Sequence, residues 1–291
     1  MKVVAPAKIN LYLWVGERRA DGMHEIESVM QSVSLTDELT ISASDGVTLD
    51  VSPPGSAPED ESNLVVAAVR ALAGTCSTAS GAALRLEKRI PAGAGLGGGS
   101  SDAAAALVGL NQLWGCVLSK KALEKIGAGI GADVPFCVRG GTAGALGAGE
   151  RLAPLIVREP LWWVTAMPAG SLSTAEVYTR FDELGGPRRG LADAHDLADA
   201  LARGDLERVG ASLRNDLEEA ALSLDPSLGS ARSTLLDAGA LGAVMSGSGP
   251  AWTALARDEK HAEELVIQVR DAFSGSWAVK SLDRGARVTE K

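Results

Sequence analysis

Along residues 3–15 apolar and polar positions alternate, with Ile9, Leu11, Leu13 and Val15 set between Lys8, Asn10, Tyr12 and Trp14. A period of two marks a strand buried on one face. It places Lys8 and Asn10 together on the face opposite the aliphatic set, roughly 7 Å apart along it. A turn marked by Gly16, Asp21 and Gly22 leads into a second alternating stretch over 25–35. Residues 39–43 and 47–51 predict two more strands around Asp45-Gly46, a hairpin signal. A proline- and acid-rich loop over 53–61 follows, then a helix over 63–73 and a strand over 83–88. Helices are predicted at 102–114 and 119–127, with a turn over 131–136 and a glycine-rich stretch to 149. The texture changes near 154–160. Beyond it the pattern gives a strand at 161–166, helices at 173–184, 193–202, 205–222 and 226–238, a strand at 251–256, a helix at 260–273 and a strand at 277–282. Helices and strands alternate irregularly, which favours an α+β fold over a doubly wound sheet. Two domains are expected, 1–155 and 156–291.

Between the strand at 83–88 and the next helix lies Pro91-Ala92-Gly93-Ala94-Gly95-Leu96-Gly97-Gly98-Gly99-Ser100-Ser101. Five glycines in seven residues allow positive φ and a close backbone approach to a ligand. Ser100 and Ser101 fall where a helix would begin, a favoured capping position. The unpaired N–H groups and dipole of a helix start hold anions, so the segment is an expected phosphate cradle. Gly93-x-Gly95-x-x-Gly98 matches the dinucleotide fingerprint as a string, but two helices follow where that fold needs a second strand ending in an acid. No lysine follows Gly99, which excludes a Walker loop, and no V-A-I-K, H-R-D or D-F-G occurs, which excludes a protein kinase. A second glycine loop, Ser246-Gly247-Ser248-Gly249-Pro250, precedes the strand at 251–256.

The net charge of −9 argues against a nucleic-acid or anionic-membrane partner, so an anionic substrate needs locally placed donors. With aromatic content at 4%, the core is expected to consist of small aliphatic residues. Cys76, Cys116 and Cys137 form neither an even set nor a metal-ligand spacing; they are expected to be buried free thiols in a reducing compartment. No signal region and no membrane-length apolar run is evident, and a cytoplasmic protein is expected.

Lys8 is placed to steady a phosphate or a deprotonating alcohol, or to guard a strand edge. Asp133, in Gly131-Ala132-Asp133-Val134-Pro135, is either a helix cap or a reactive carboxylate. His24 either donates to a ligand or packs. His195 and His261 lie among charged helix residues and are expected to be solvated.

These segments resemble the motifs of the GHMP kinases. Residues 5–10 (Ala-Pro-Ala-Lys-Ile-Asn) are similar to their first motif, residues 91–101 to their Pro-x-x-x-Gly-Leu-x-x-Ser-Ser phosphate loop with one extra glycine, and residues 242–251 to their third motif. All three occur in order over nearly the whole chain. Residues 19–25 and 131–136 further resemble the branch of that family acting on a cytidine-diphosphate methylerythritol. The resemblance implies an N-terminal ribosomal-S5-domain-2-like domain and a C-terminal ferredoxin-like α/β plait. It also implies ATP and Mg²⁺ as cofactors, a small-molecule acceptor, and a monomer or weak homodimer. By its motifs Lys8 and Asp133 are the catalytic pair, Pro91 to Ser101 the ATP loop, and Asn10, His24 and Tyr178 substrate contacts, Tyr178 stacking on cytosine. Asn63, Leu64 and Lys88 would border the adenine pocket. Met23 departs from the pattern, which has Tyr before the histidine.

Overall fold

The computed structural model of the chain describes residues 1–187 and 194–290. In chain order the first half contains β1 (Lys2–Arg18), β2 (His24–Ser44), β3 (Val47–Ser52), α1 (Leu64–Ala73), β4 (Gly81–Glu87), α2 (Gly98–Leu113), α3 (Lys120–Ala128), α4 (Val134–Arg139), β5 (Thr142–Gly147) and β6 (Arg151–Pro154). The second half contains β7 (Trp162–Met167), α5 (Thr174–Glu183), α6 (Ala194–Arg203), α7 (Leu206–Ala211), β8 (Arg214–Asn215), α8 (Glu218–Leu224), α9 (Gly229–Asp237), β9 (Gly242–Met245), β10 (Trp252–Ala256), α10 (Glu259–Val269), β11 (Gly275–Lys280) and β12 (Arg287–Glu290).

The first sheet runs β12-β1-β2-β4-β3, with β5 beside the first half of β2, β6 beside β5, and β8 beside β1. The stretches expected at 25–35 and 39–43 are one continuous strand, β2, because Asp37 between them is buried in the ladder rather than in a turn. The expected hairpin at Asp45-Gly46 does not pair. β4 inserts between β2 and β3, and β3 runs parallel to it. β4 can take that central place because it buries Ala82, Leu84 and Leu86 completely or nearly so.

On this sheet lie α1 and α2. The run Ala103 to Ala106 is fully buried, and a Cβ at Gly109 would stand 2.4 Å from Ile41 Cδ1, so small residues let α2 sit close to the strands. The second sheet is antiparallel throughout, in the order β11-β7-β10-β9. That order is the ferredoxin-like plait that the motifs imply. A third cluster, with Ile9 and Leu11 from β1 and Trp163, Leu255 and Val279 from the second sheet, joins the two halves.

Several elements differ from the pattern. The helix expected over 205–222 is broken into α7 and α8 by β8, which pairs in parallel with Tyr12 and Leu13. Strands β5, β6, β9 and β12 carried no separate signal, being short or glycine-rich; β12 returns to pair with β1. The helix expected from residue 193 is seen from Ala194, residue 193 lying outside the described residues. Cys76 and Cys116 are not free thiols. They form a disulfide with Cα atoms 5.5 Å apart, tying the segment after α1 to the end of α2. The pairing was invisible in the spacing because it follows from two helices lying side by side. Cys137 remains a buried free thiol, pushed up to about 12 by burial and then by the nearby Asp133 charge. His261 is buried rather than solvated: Arg257 N–H donates to its Nδ1 at 3.1 Å, and burial followed by the Arg257 charge lowers its pKa. His195 is exposed. Among the described residues no helix is long and apolar enough to cross a membrane.

Candidate active site

The glycine loop is held by its neighbours rather than by itself. Gly95 has φ +80°, and a Cβ there would lie 2.1 Å from the backbone oxygen of Ser246. Gly97 has φ +67°, and its Cβ would meet Lys8 Cγ at 2.7 Å. Both positions therefore need glycine for conformation and for space. Lys8 N–H donates to Leu96 O (2.9 Å), Ala251 N–H to Ala94 O (3.1 Å) and Ser246 Oγ to Gly95 O (3.0 Å). The loop is thus clamped between β1 and the second glycine loop.

Because Gly97 takes the left-handed conformation, α2 starts at Gly98, earlier than expected. Ser100 and Ser101 are not caps but lie inside the first turn. Ser101 is buried and donates to Pro6 O at 2.5 Å, while Ser100 lines the cleft. The 16-residue α2 points its N–H groups into a cleft of about 910 Å³, a suitable anion site.

Lys8 is no edge residue. On one side it pairs with Ser32 of β2, on the other its N–H is taken by Leu96 O of the glycine loop, and only 6% of its side chain is exposed. Irregular register at Pro6/Lys8 and Asn10/Tyr12 brackets the two polar residues, a device that re-aims side chains beside a site. Lys8 Nζ donates to Asn10 Oδ1 at 2.7 Å and lies 3.4 Å from Asp133 Oδ2. Asn10 Nδ2 donates to Ser28 Oγ (2.9 Å), and Ser28 in turn to Tyr12 O (2.7 Å). Asp133 occupies the cap position of α4 but its side chain makes no capping bond; the carboxylate turns to Lys8 and the cleft instead. A Cβ at Gly247 would reach Lys8 Nζ at 3.3 Å, so the second glycine loop backs the pair.

Farther along the cleft His24, 8% exposed, stacks beside Tyr178 (centroids 5.0 Å, 32° apart) and meets the edge of Phe181. Burial, then the Asp133 charge, pushes the Tyr178 phenol up to about 12, so it stays a neutral hydroxyl. Met23 sits at the rim, 46% exposed. Beneath the start of α2, Lys88 is gripped by Asp37 and by Asp102 Oδ2 (2.6 Å), all three nearly inaccessible. Burial works against the Lys88 charge, yet Asp102 and Asp37 outweigh it and raise its pKa. Burial, and then the Asp37 charge, raises Asp102 well above the usual carboxylate range, since one lysine faces two acids. Asn63 caps α1 through Val65 N–H and, with Leu64, lines the same cleft.

Of the site residues singled out in the sequence, all but the buried Ser101 line one cleft. Asp182, Ser28 and Asp37 were not singled out, and Ser246 was named only as part of the second glycine loop. Asp182 stands four residues after Tyr178, the helical spacing that puts both on one face, which was the available signal.

Residues 63–141 match the GHMP kinases N terminal domain, and residues 197–275 match GHMP kinases C terminal. The 4-diphosphocytidyl-2-C-methyl-D-erythritol kinase of Symbiobacterium thermophilum is 42% identical over 285 residues, covering 97% of this chain and all of that one. The chain belongs to the 4-diphosphocytidyl-2-C-methyl-D-erythritol kinase family. A member from Salinispora tropica is 43% identical over 92% of this chain and 87% of its own length. A crystal structure of 4-(cytidine 5′-diphospho)-2C-methyl-D-erythritol kinase superposes with TM-score 0.81 at 34% identity, covering 97% of this chain and 99% of that chain. A homoserine kinase from Cytophaga hutchinsonii shares the fold at 23% identity, TM-score 0.77. That likeness shows the fold alone, and membership of the methylerythritol kinase family rests on the closer sequences.

Proposed function

We propose that this GHMP kinase transfers the γ-phosphate of ATP to the 2-hydroxyl of 4-(cytidine 5′-diphospho)-2-C-methyl-D-erythritol, releasing ADP. The observation that carries the reading is the meeting of Lys8 and Asp133 midway along one cleft, between a helix N-terminus at one end and a stacked His24–Tyr178 pair at the other. The glycine loop and the first turn of α2 bind the β- and γ-phosphates. The ring pair holds the base. The acceptor alcohol then lies beside Lys8, Asn10 and Asp133.

Phosphoryl transfer passes through a loose transition state, so positioning and charge stabilisation supply most of the acceleration. Asp133 takes the hydroxyl proton as it is released. Lys8, held by Asn10, stabilises the charge on the reacting oxygens. Mg²⁺ fits the cleft as an ion arriving with the nucleotide. Among the described residues no group of three or more His, Cys, Asp or Glu is placed to cage a metal, and Mg²⁺ characteristically keeps waters and binds through few protein oxygens plus phosphates. Ser100 supplies the cleft-lining hydroxyl that would hold it, and the ion would neutralise phosphate charge.

The deciding experiment measures ADP release from Mg·ATP with the cytidine substrate, homoserine and mevalonate in turn. Turnover with the cytidine substrate alone supports the reading; turnover with another alcohol alone overturns the assigned acceptor. Lys8→Ala is expected to lower kcat about 10²-fold, whereas a change confined to KM would make Lys8 a binding residue. Met23→Tyr adds a ring at the rim of the base pocket, and an aromatic pair contributes about 0.5–1.5 kcal/mol. The expected result is a KM for the cytidine substrate lower by about two- to tenfold at unchanged kcat, measured by steady-state kinetics.

A further inference from the structure

Lys8, Lys88 and Arg18 are the lysine and arginine side chains that line the cleft among the described residues. Two of them are already matched. Lys88 is held between Asp37 and Asp102, and Lys8 between Asn10 and Asp133. Arg18, the exposed last residue of β1, has no ion-pair partner among the described residues. The one hydrogen bond of its side chain runs from Nε to Gly22 O at 3.0 Å. That bond lies in a turn closed by Arg19 N–H to Met23 O and by Gly22 N–H to Arg19 O. It orients the guanidinium and leaves both terminal amino groups to face a ligand. The neighbouring arginines are engaged elsewhere: Arg19 pairs with Asp21 and Glu25, and Arg151 with Glu25. Arg18 is the ladder partner of His24. Opposite residues share a face of the sheet, so Arg18 stands at the His24 end of the cleft.

We propose that Arg18 is a specificity-determining residue that binds the diphosphate of the acceptor substrate through its two terminal amino groups. The inference rests on the function proposed above and assigns the charge that holds one part of its substrate. A diphosphate diester is anionic, and it enters a cleft also lined by the carboxylates Asp102, Asp133 and Asp182. Of these, Asp182 Oδ1 lies 2.8 Å from His24 Nε2. The chain as a whole carries a net charge of −9, so no general field draws the anion in. In the proposed function the N–H groups of α2 and the glycine loop serve the phosphates of ATP, and Lys8 serves the reacting oxygens. The acceptor's own phosphates lie between the base beside His24 and the alcohol beside Lys8. Arg18 is the cation left to meet them. Its planar fork matches two phosphate oxygens at once, a geometry that an ammonium lacks. Such a contact separates a nucleoside diphosphate from the bare nucleoside, which the ring pair alone holds equally well.

The test measures inhibition by cytidine diphosphate and by cytidine, each competing with the cytidine substrate at saturating Mg·ATP. It compares the unaltered protein with Arg18→Ala and Arg18→Lys. Arg18→Ala is expected to weaken cytidine diphosphate about tenfold and to leave cytidine within about twofold. It should raise KM for the substrate about tenfold while kcat and the KM for ATP stay within about twofold. Arg18→Lys keeps the charge without the fork and is expected to fall between the two. Added salt should weaken cytidine diphosphate more steeply in the unaltered protein than in Arg18→Ala, which lacks the ion pair that salt screens. A merely structural role in the turn after β1 would move both inhibitors together, since the same turn carries Met23 and His24. Equal losses for both inhibitors, Arg18→Lys no better than alanine, or a salt dependence retained in full by Arg18→Ala would each overturn the proposal. If the unaltered protein does not turn over the cytidine substrate, the functional reading itself fails and takes this one with it. Turnover without inhibition by cytidine diphosphate, or with inhibition indifferent to Arg18, sinks this assignment alone.

Discussion

Asp133→Asn is expected to lower kcat about 10²–10⁴-fold, with ATP binding retained. The amide matches the carboxylate in shape and still offers an oxygen to Lys8 Nζ, now 3.4 Å away. Ground-state geometry should therefore survive, and what is lost is the capacity to take a proton. A carboxylate is a weak base toward an alcohol. It helps because the proton leaves late, when the attacking oxygen is already bonding to phosphorus. The carboxylate makes no capping bond to α4, so the substitution removes no helix cap and thermal stability should stay near that of the unaltered protein. Single-turnover kinetics with a fluorescent nucleotide titration checks both halves. Near-normal turnover would remove Asp133 from the base role.

Lys88→Met is expected to destabilise the fold by about 3–5 kcal/mol at neutral pH, because it strands two buried acids. For a chain of this size that corresponds to a melting temperature lower by roughly 6–20 °C. Asp37 also accepts from the Arg89 and Ile90 N–H groups, so the same loss loosens the chain entering the glycine loop, and nucleotide affinity should fall too. The pH dependence has a definite sign. Asp102 is raised above its ordinary value in the folded state, so over the window between the two values the folded chain binds more protons than the unfolded one. Its contribution is complete below the unfolded pKa and is lost as pH rises through the folded one. Removing the lysine raises the carboxyl further. The deficit of Lys88→Met should therefore shrink on acidification, and Asp102→Asn in the same chain should recover part of it. Calorimetry from mildly acidic to neutral pH reads the effect; a deficit that grows in acid would show that Lys88 does not serve these carboxylates.

Local signals carried the part of the candidate site around Lys8 and the glycine loop. Period two alone put Lys8 beside Asn10, and the density of glycine alone marked the loop that needs positive φ at Gly95 and Gly97. The partners of those residues were illegible because they are set by tertiary contact. Asp182 reaches His24 across 158 residues, and Ser246 reaches Gly95 across 151. The Asp45-Gly46 turn signal was sound as a turn, yet it carries no information about β4, which arrives later and takes the place between the two strands. Asp102 reads as a helix-start acid from sequence, and only burial beside Lys88 gives it another role. The serines were placed one turn out because a left-handed glycine at 97 starts the helix sooner than a serine cap would.

The hydrogen bond from Asn10 N–H to Ser246 Oγ joins residues 236 apart, and it has a consequence for the chain as it is made. At about 5–20 residues per second, roughly 10–50 s separate the synthesis of its two ends. Until the second glycine loop emerges, Gly95 has no backing and the loop lacks one of its two clamps. The nascent chain thus carries Lys8 long before the glycine loop beside it is fully held, and the cleft is completed late, when the last third of the polypeptide closes over the first strand.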